Sequence, residues 1–148
     1  MSYDRGDWHS DACADLGLPE ENAATHIALY VKWCICRKLI SDELEKDDAE
    51  PLDKIRSGNM SASAYFDKYM DWKFGDWCLN EAGSSFTSSY YDQYLKDLAE
   101  KFPDVIYGTE ASVSFDRLSM MLDQRHAEFK SLGTSKLPWN KKPWWKVW

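Results

Sequence analysis

The stretch PEENAATHIALYVKWCICRKLIS, residues 19–41, decides the fold class. Within it Ala24, Ile27, Ala28, Val31, Ile35 and Leu39 recur at three-and-four spacing, the period at which side chains share one face of an α-helix. Pro19 suits a first helical turn, where its missing amide hydrogen is no loss. Glu20 and Glu21 stand at the positive end of the helix dipole, and Arg37 and Lys38 at the negative end. These signals predict a helix over the whole segment.

Working outward, five more stretches read as helix. SDELEK begins a short helix at Ser41 that Pro51 interrupts, and PLDKIRSG reads as another short piece stopped by Gly58. MSASAYFDKYMDWK offers Ser61 or Ser63 as a cap before Tyr65, Phe66, Tyr69, Met70 and Trp72. SSFTSSYYDQYLKDLAEKF puts Phe86, Tyr90, Tyr94, Leu95 and Leu98 on one stripe up to Pro103. SVSFDRLSMMLDQRHAEFKSLG does the same with Phe115, Leu118, Leu122 and Phe129 before Gly133. DWCLNE (76–81) and DVIYG (104–108) are the only strand candidates. The expectation is a mainly α, single-domain bundle over residues 1–148, of about five helices with at most a short minor strand pair. Ile27, Val31, Ile35, Leu95, Leu98, Leu118 and Leu122 should share its core, because their stripes have no other apolar surface to meet.

At 148 residues the chain can bury a sizeable core alone, and eight Trp, eight Tyr and six Phe set it far from the composition of disorder. The start, MSYDRGDWHSD, has no secretory pattern and no apolar run is long enough to span a bilayer, which points to the cytoplasm. Cys13, Cys34, Cys36 and Cys78 are then expected as free, mostly buried thiols. A net charge of −7 opposes binding to phosphate backbones, so nucleic acid is excluded and a basic partner suits better.

The chemistry-bearing residues are few. Cys34 and Cys36 stand two apart in a helix and face away from each other, a poor arrangement for sharing a metal. His26 and Cys34 lie eight apart, two turns and too far for a direct catalytic pair, and His9 can approach either only through tertiary folding. A structural role is the expectation for both histidines. No phosphate loop, nucleophile elbow or zinc-protease helix motif occurs. The reading is therefore not an enzyme, with no cofactor and no metal.

Charge is uneven along the chain. Residues 42–53, DELEKDDAEPLD, hold seven acids against one lysine, while 136–148 hold four lysines and no acid. Asp42, Glu43, Glu45, Asp47, Asp48 and Glu50 are the candidate partner-binding residues, since an acidic surface steers toward a cationic cleft. The end, LPWNKKPWWKVW (137–148), is too short and too proline-broken for a membrane helix. Four tryptophans left in water would aggregate, so it reads as a strap packed on the body.

Several stretches together resemble a known family: WH near the start, PEENAATHIALYVKWCICRKLIS, LNEAGSSFTSSYYDQYLKDL, FDRLSMMLDQRHAEF and the closing PWWKVW. The family comprises short bacterial proteins classed as a domain of unknown function, members of which are regarded as immunity proteins of polymorphic or contact-dependent toxins. The positions matching its recurrent words are Trp8, His9, Thr25, His26, Leu79, Asn80, Glu81, Gly83, Tyr90, Tyr91, Trp144 and Trp145; Cys78 and Ala82 stand where the family pattern would place acids. The resemblance implies a monomeric protein that binds a cognate toxin, basic at its active site, and assigns no catalytic residue. Two other classes are open: an enzyme with a histidine-containing cleft, which a deep pocket holding His9 against a carboxylate would favour, and an adaptor using the tryptophan-rich end, which an unpacked tail would favour.

Overall fold

The computed structural model describes residues 1–132 and 136–140. Along the chain run β1 (Ser2–Arg5), α1 (Ser10–Asp15), α2 (Thr25–Cys36), α3 (Asp42–Asp47), α4 (Ala49–Arg56), α5 (Ala62–Met70), β2 (Lys73–Gly75), α6 (Glu81–Lys101) and α7 (Phe115–Ser131). The fold is mainly α, as expected, and among the described residues α2, α4, α5, α6 and α7 are the five helices of eight residues or more. No helix among the described residues is long and apolar enough to cross a membrane.

Helix α2 is the axis of the molecule. It is buried nearly all round, because Leu29, Tyr30 and Trp33 close the faces that the Ile27–Val31–Ile35 stripe leaves open. Helices α4, α5 and α7 pack on it directly, and α6 meets it through Tyr30 against Tyr91 and Tyr94 and through Trp33 against Phe86. Tyr94 donates to the His26 carbonyl at 2.7 Å, so even the polar tip of this aromatic layer is satisfied. Ile27, Val31, Ile35, Leu98, Leu118 and Leu122 do lie in one core, with Leu95 packed at its edge.

The ends of α2 depart from the sequence reading. Glu20–Ala24 winds as a tighter 3₁₀ turn, and the α-helix begins only at Thr25. It stops at Cys36: Lys38 adopts φ +56°, Lys38 N donates to Ile35 O, and Leu39 N reaches back to Cys34 O at 2.9 Å. This is a Schellman closure with lysine in the left-handed position usually given to glycine, so no glycine marked it in the sequence.

The strands are elsewhere than 76–81 and 104–108. β1 and β2 pair antiparallel, joining the chain start to the segment after α5. Asp76–Cys78 and Pro103–Val105 are 3₁₀ turns. Leu79 makes a single bridge to Ile40, and Asn80 serves as N-cap, its side chain accepting from Gly83 N at 2.8 Å to start α6. Gly83 is required there: a Cβ would stand 2.3 Å from the Leu39 carbonyl oxygen.

The first residues of the expected strap are packed. Leu137 is fully buried, and Trp139 lies against Phe86 and Tyr90, its Nε1 donating to Ser89 Oγ at 3.2 Å and its ring under the Arg125 guanidinium. Trp144, Trp145 and Trp148 lie outside the described residues.

Candidate functional site

Asp4 is the buried residue of β1, 3% exposed, and its carboxylate is the centre of the site. The 3₁₀ turn Gly6–Trp8 carries the chain back so that His9 Nε2 meets Asp4 Oδ1 at 2.6 Å. His26, on the first turn of α2 and 4% exposed, brings Nε2 to Asp4 Oδ2 at 3.2 Å. Tyr91 of α6 donates its hydroxyl to the same Oδ2 at 2.8 Å, and Arg5 N donates to Oδ1 at 2.8 Å. The two imidazoles stand edge to face, with centroids 4.7 Å apart.

Burial by itself pushes the Asp4 carboxyl up, but hydrogen bonds from His26 and then His9, with their charge interaction, outweigh it and hold the group well below its ordinary 3.8. Asp4 is thus an anion, and each Nε2 facing it carries a hydrogen. That leaves Nδ1 of His26, which is buried and has no hydrogen-bond partner among the described residues. The expected satisfied structural histidine is therefore satisfied on one side only. Among the described residues the two histidines are the sole ion-pair partners of Asp4.

A half-enclosed pocket of about 160 Å³ opens beside the pair, lined by His9, His26, Leu95, Ile106 and Tyr107. Its outer wall is tied to the start of α2: Asn22 Nδ2 donates to Tyr107 O at 3.0 Å, and Thr25 Oγ1 donates to Gly108 O at 2.7 Å. Tyr107 is held at φ +60°, an uncommon conformation for an aromatic residue, and a Cβ on Gly108 would lie 2.0 Å from Asp104 O. The segment EENAATH therefore does two jobs, fastening the wall through Asn22 and Thr25 and supplying the ring of His26.

The acidic segment forms α3 and α4, capped by Ser41 and anchored by the buried Leu52 and Ile55. The six candidate acids divide. Glu45 pairs with Arg56, which also holds the Ile35 carbonyl; Asp48 accepts from Tyr65 at 2.9 Å; Glu50 pairs with Lys54 at 3.2 Å. Asp42, Glu43 and Asp47 are exposed, with no ion pair among the described residues. None of the six takes part in the Asp4 cluster. The four cysteines are free, and burial pushes the thiols of Cys34 and Cys78 up, the latter to about 12, which makes them poor nucleophiles.

Sequence reasoning had singled out His9 and His26 but not their meeting, and it had not noticed Asp4. The available signal was that His9, His26 and Tyr91 all sit in the recurrent words of the resemblance; the structure brings these three onto one carboxylate. The words LNE and Gly83 have structural duty instead, as bridge, cap and close approach. A family model described as a domain of unknown function, DUF7832, matches residues 2–109, a span holding Asp4, His9, His26 and Tyr91, and the chain belongs to that family. No curated protein and no solved structure matches the chain.

Proposed function

For this member of the DUF7832 family, we propose that function is binding: an immunity protein that associates as a monomer with a cognate bacterial toxin in the cytoplasm and neutralises it by covering its surface. The observation that carries the reading is the trio of exposed acids Asp42, Glu43 and Asp47, without an ion pair among the described residues, on a short helix beside the anchored α4, in a chain of net charge −7. Acids without an internal counter-charge project their field outward, which raises the rate of meeting a cationic cleft. The resemblance to immunity proteins supports the same reading. Its direct test is co-purification of the untagged chain with the toxin-like product of the adjacent gene; separate elution of the two folded proteins would refute it.

A second reading, acid–base catalysis, is favoured by one observation: His9 stands at the pocket with its ring held by a buried carboxylate, the orientation of a general base. Against it, the pocket is smaller than the roughly 300 Å³ at which small-molecule sites begin. Moreover, no hydroxyl or thiol among the described residues is bonded to either imidazole. His9→Ala separates the two: under the binding reading it still forms the complex and protects cells, whereas under the catalytic reading protection is lost although the chain stays folded. The adaptor reading falls behind both because Leu137 and Trp139 are already used by the body.

A further inference from the structure

We propose that Asp4, His9 and His26 form a binding site for a divalent transition-metal ion, independent of whether the chain binds a toxin. One oxygen of the carboxylate and one nitrogen of each imidazole lie within 4.8 Å of one another. The 3.2 Å contact from His26 to Asp4 falls within the roughly 3.0–3.4 Å that separates neighbouring ligand atoms around an ion held at about 2.0–2.2 Å, and the 2.6 Å hydrogen bond from His9 would open as the ion takes the place of its hydrogen. Two histidines and one carboxylate are a donor set suited to zinc, iron(II), cobalt(II) and manganese(II), and they leave coordination positions open.

Three further features point to a cation. The carboxylate is almost wholly buried and, among the described residues, pairs with the two histidines and with no lysine or arginine, so no fixed side-chain cation occupies the place an ion would take. Without an ion the Asp4 carboxylate keeps the hydrogen on Nε2; His26 Nδ1 has no partner among the described residues, so when an ion displaces that hydrogen no protein group there opposes a proton on Nδ1. Lastly, the carboxylate is already oriented from behind by Tyr91 and the Arg5 amide, the kind of outer support that metal-binding carboxylates receive. The part-exposed His9, 24% accessible, and the pocket beside it provide the way in.

The same unpartnered Nδ1 sets the strength. A ligating histidine normally donates its second N–H to an acceptor, and loss of such support weakens binding about 10- to 100-fold, so this site should be reversible and readily stripped by a chelator.

The test uses the full chain without a histidine tag, stripped by chelator and dialysed, then titrated with Co²⁺ in visible absorption and with Zn²⁺ in calorimetry. The native chain should take up one equivalent of either ion, show ligand-field bands with Co²⁺, and melt at a higher temperature with Zn²⁺. His9→Ala, chosen because His9 is part-exposed, should fold and lose about 10-fold or more in affinity; His9→Gln serves if the alanine variant unfolds. Failure of the native chain to bind either ion would overturn the proposal. So would a folded His9 variant that binds as tightly as the native chain.

Discussion

Truncating Leu137 to alanine tests whether the C-terminal segment is part of the folded body. Its side chain is 0% exposed although residues 136 and 138 on either side of it are exposed, so it is inserted rather than draped. Removing a buried leucine side chain costs about 2–5 kcal/mol, and a site sealed by a short terminal segment can partly collapse, which favours about 3 kcal/mol. For a chain of 148 residues one kcal/mol moves the melting temperature by about 3–4 °C, so Leu137→Ala should melt about 9–12 °C lower. Urea unfolding followed by circular dichroism should show the midpoint falling with an unchanged slope. Trp139→Ala should lose less, about 1–3 kcal/mol, because the ring is only part-buried against Phe86 and Tyr90. If Leu137→Ala unfolds within about 0.5 kcal/mol of the parent, an ordinary surface effect, the strap is not structural and the adaptor reading regains ground.

Asp4→Asn should destabilise the fold most at neutral pH. The folded carboxyl titrates well below 3.8 and the unfolded one near it, so the stabilisation is complete above about pH 5 and fades as pH falls through the folded value. A native-to-variant gap that stays constant from neutral pH down to about pH 2 would contradict this. Gly83→Ala should cost about 1–3 kcal/mol in urea unfolding, since the new methyl meets the Leu39 carbonyl and the N-cap bond from Gly83 to Asn80 leaves the turn little room. An unchanged midpoint would show that the start of α6 shifts freely.

The helices were legible because their stripes are long: the Ile27–Val31–Ile35 and Phe86–Tyr90–Tyr94 spacings are local properties, and burial confirms them. What escaped reading was set by contacts distant in sequence or by pieces too short to show a period. β1 has four residues and β2 three, and neither alternates enough to signal a strand. Asn80 looked like the end of a strand because a cap and a turn use the same residue types; only the Gly83 amide bonded to its side chain tells them apart. The site was half legible. His9 and His26 were visible as chemistry, but helical spacing reports only neighbours on one helix, whereas Asp4 joins His26 across 22 positions and Tyr91 across 87. The acidic segment was read as one surface, and folding gave Glu45, Asp48 and Glu50 internal partners, leaving Asp42, Glu43 and Asp47 without an ion pair among the described residues.

Those three acids make the central claim measurable. The purified chain should associate with its cognate toxin at a rate that falls as salt is raised, because exposed charges are screened beyond about 10 Å at 0.1 M salt. Asp42→Lys with Asp47→Lys, or Glu43→Lys with Asp47→Lys, should slow association at low salt while leaving the chain folded. The account is contradicted if no complex forms, or if every charge-reversed pair associates as fast as the parent at low salt.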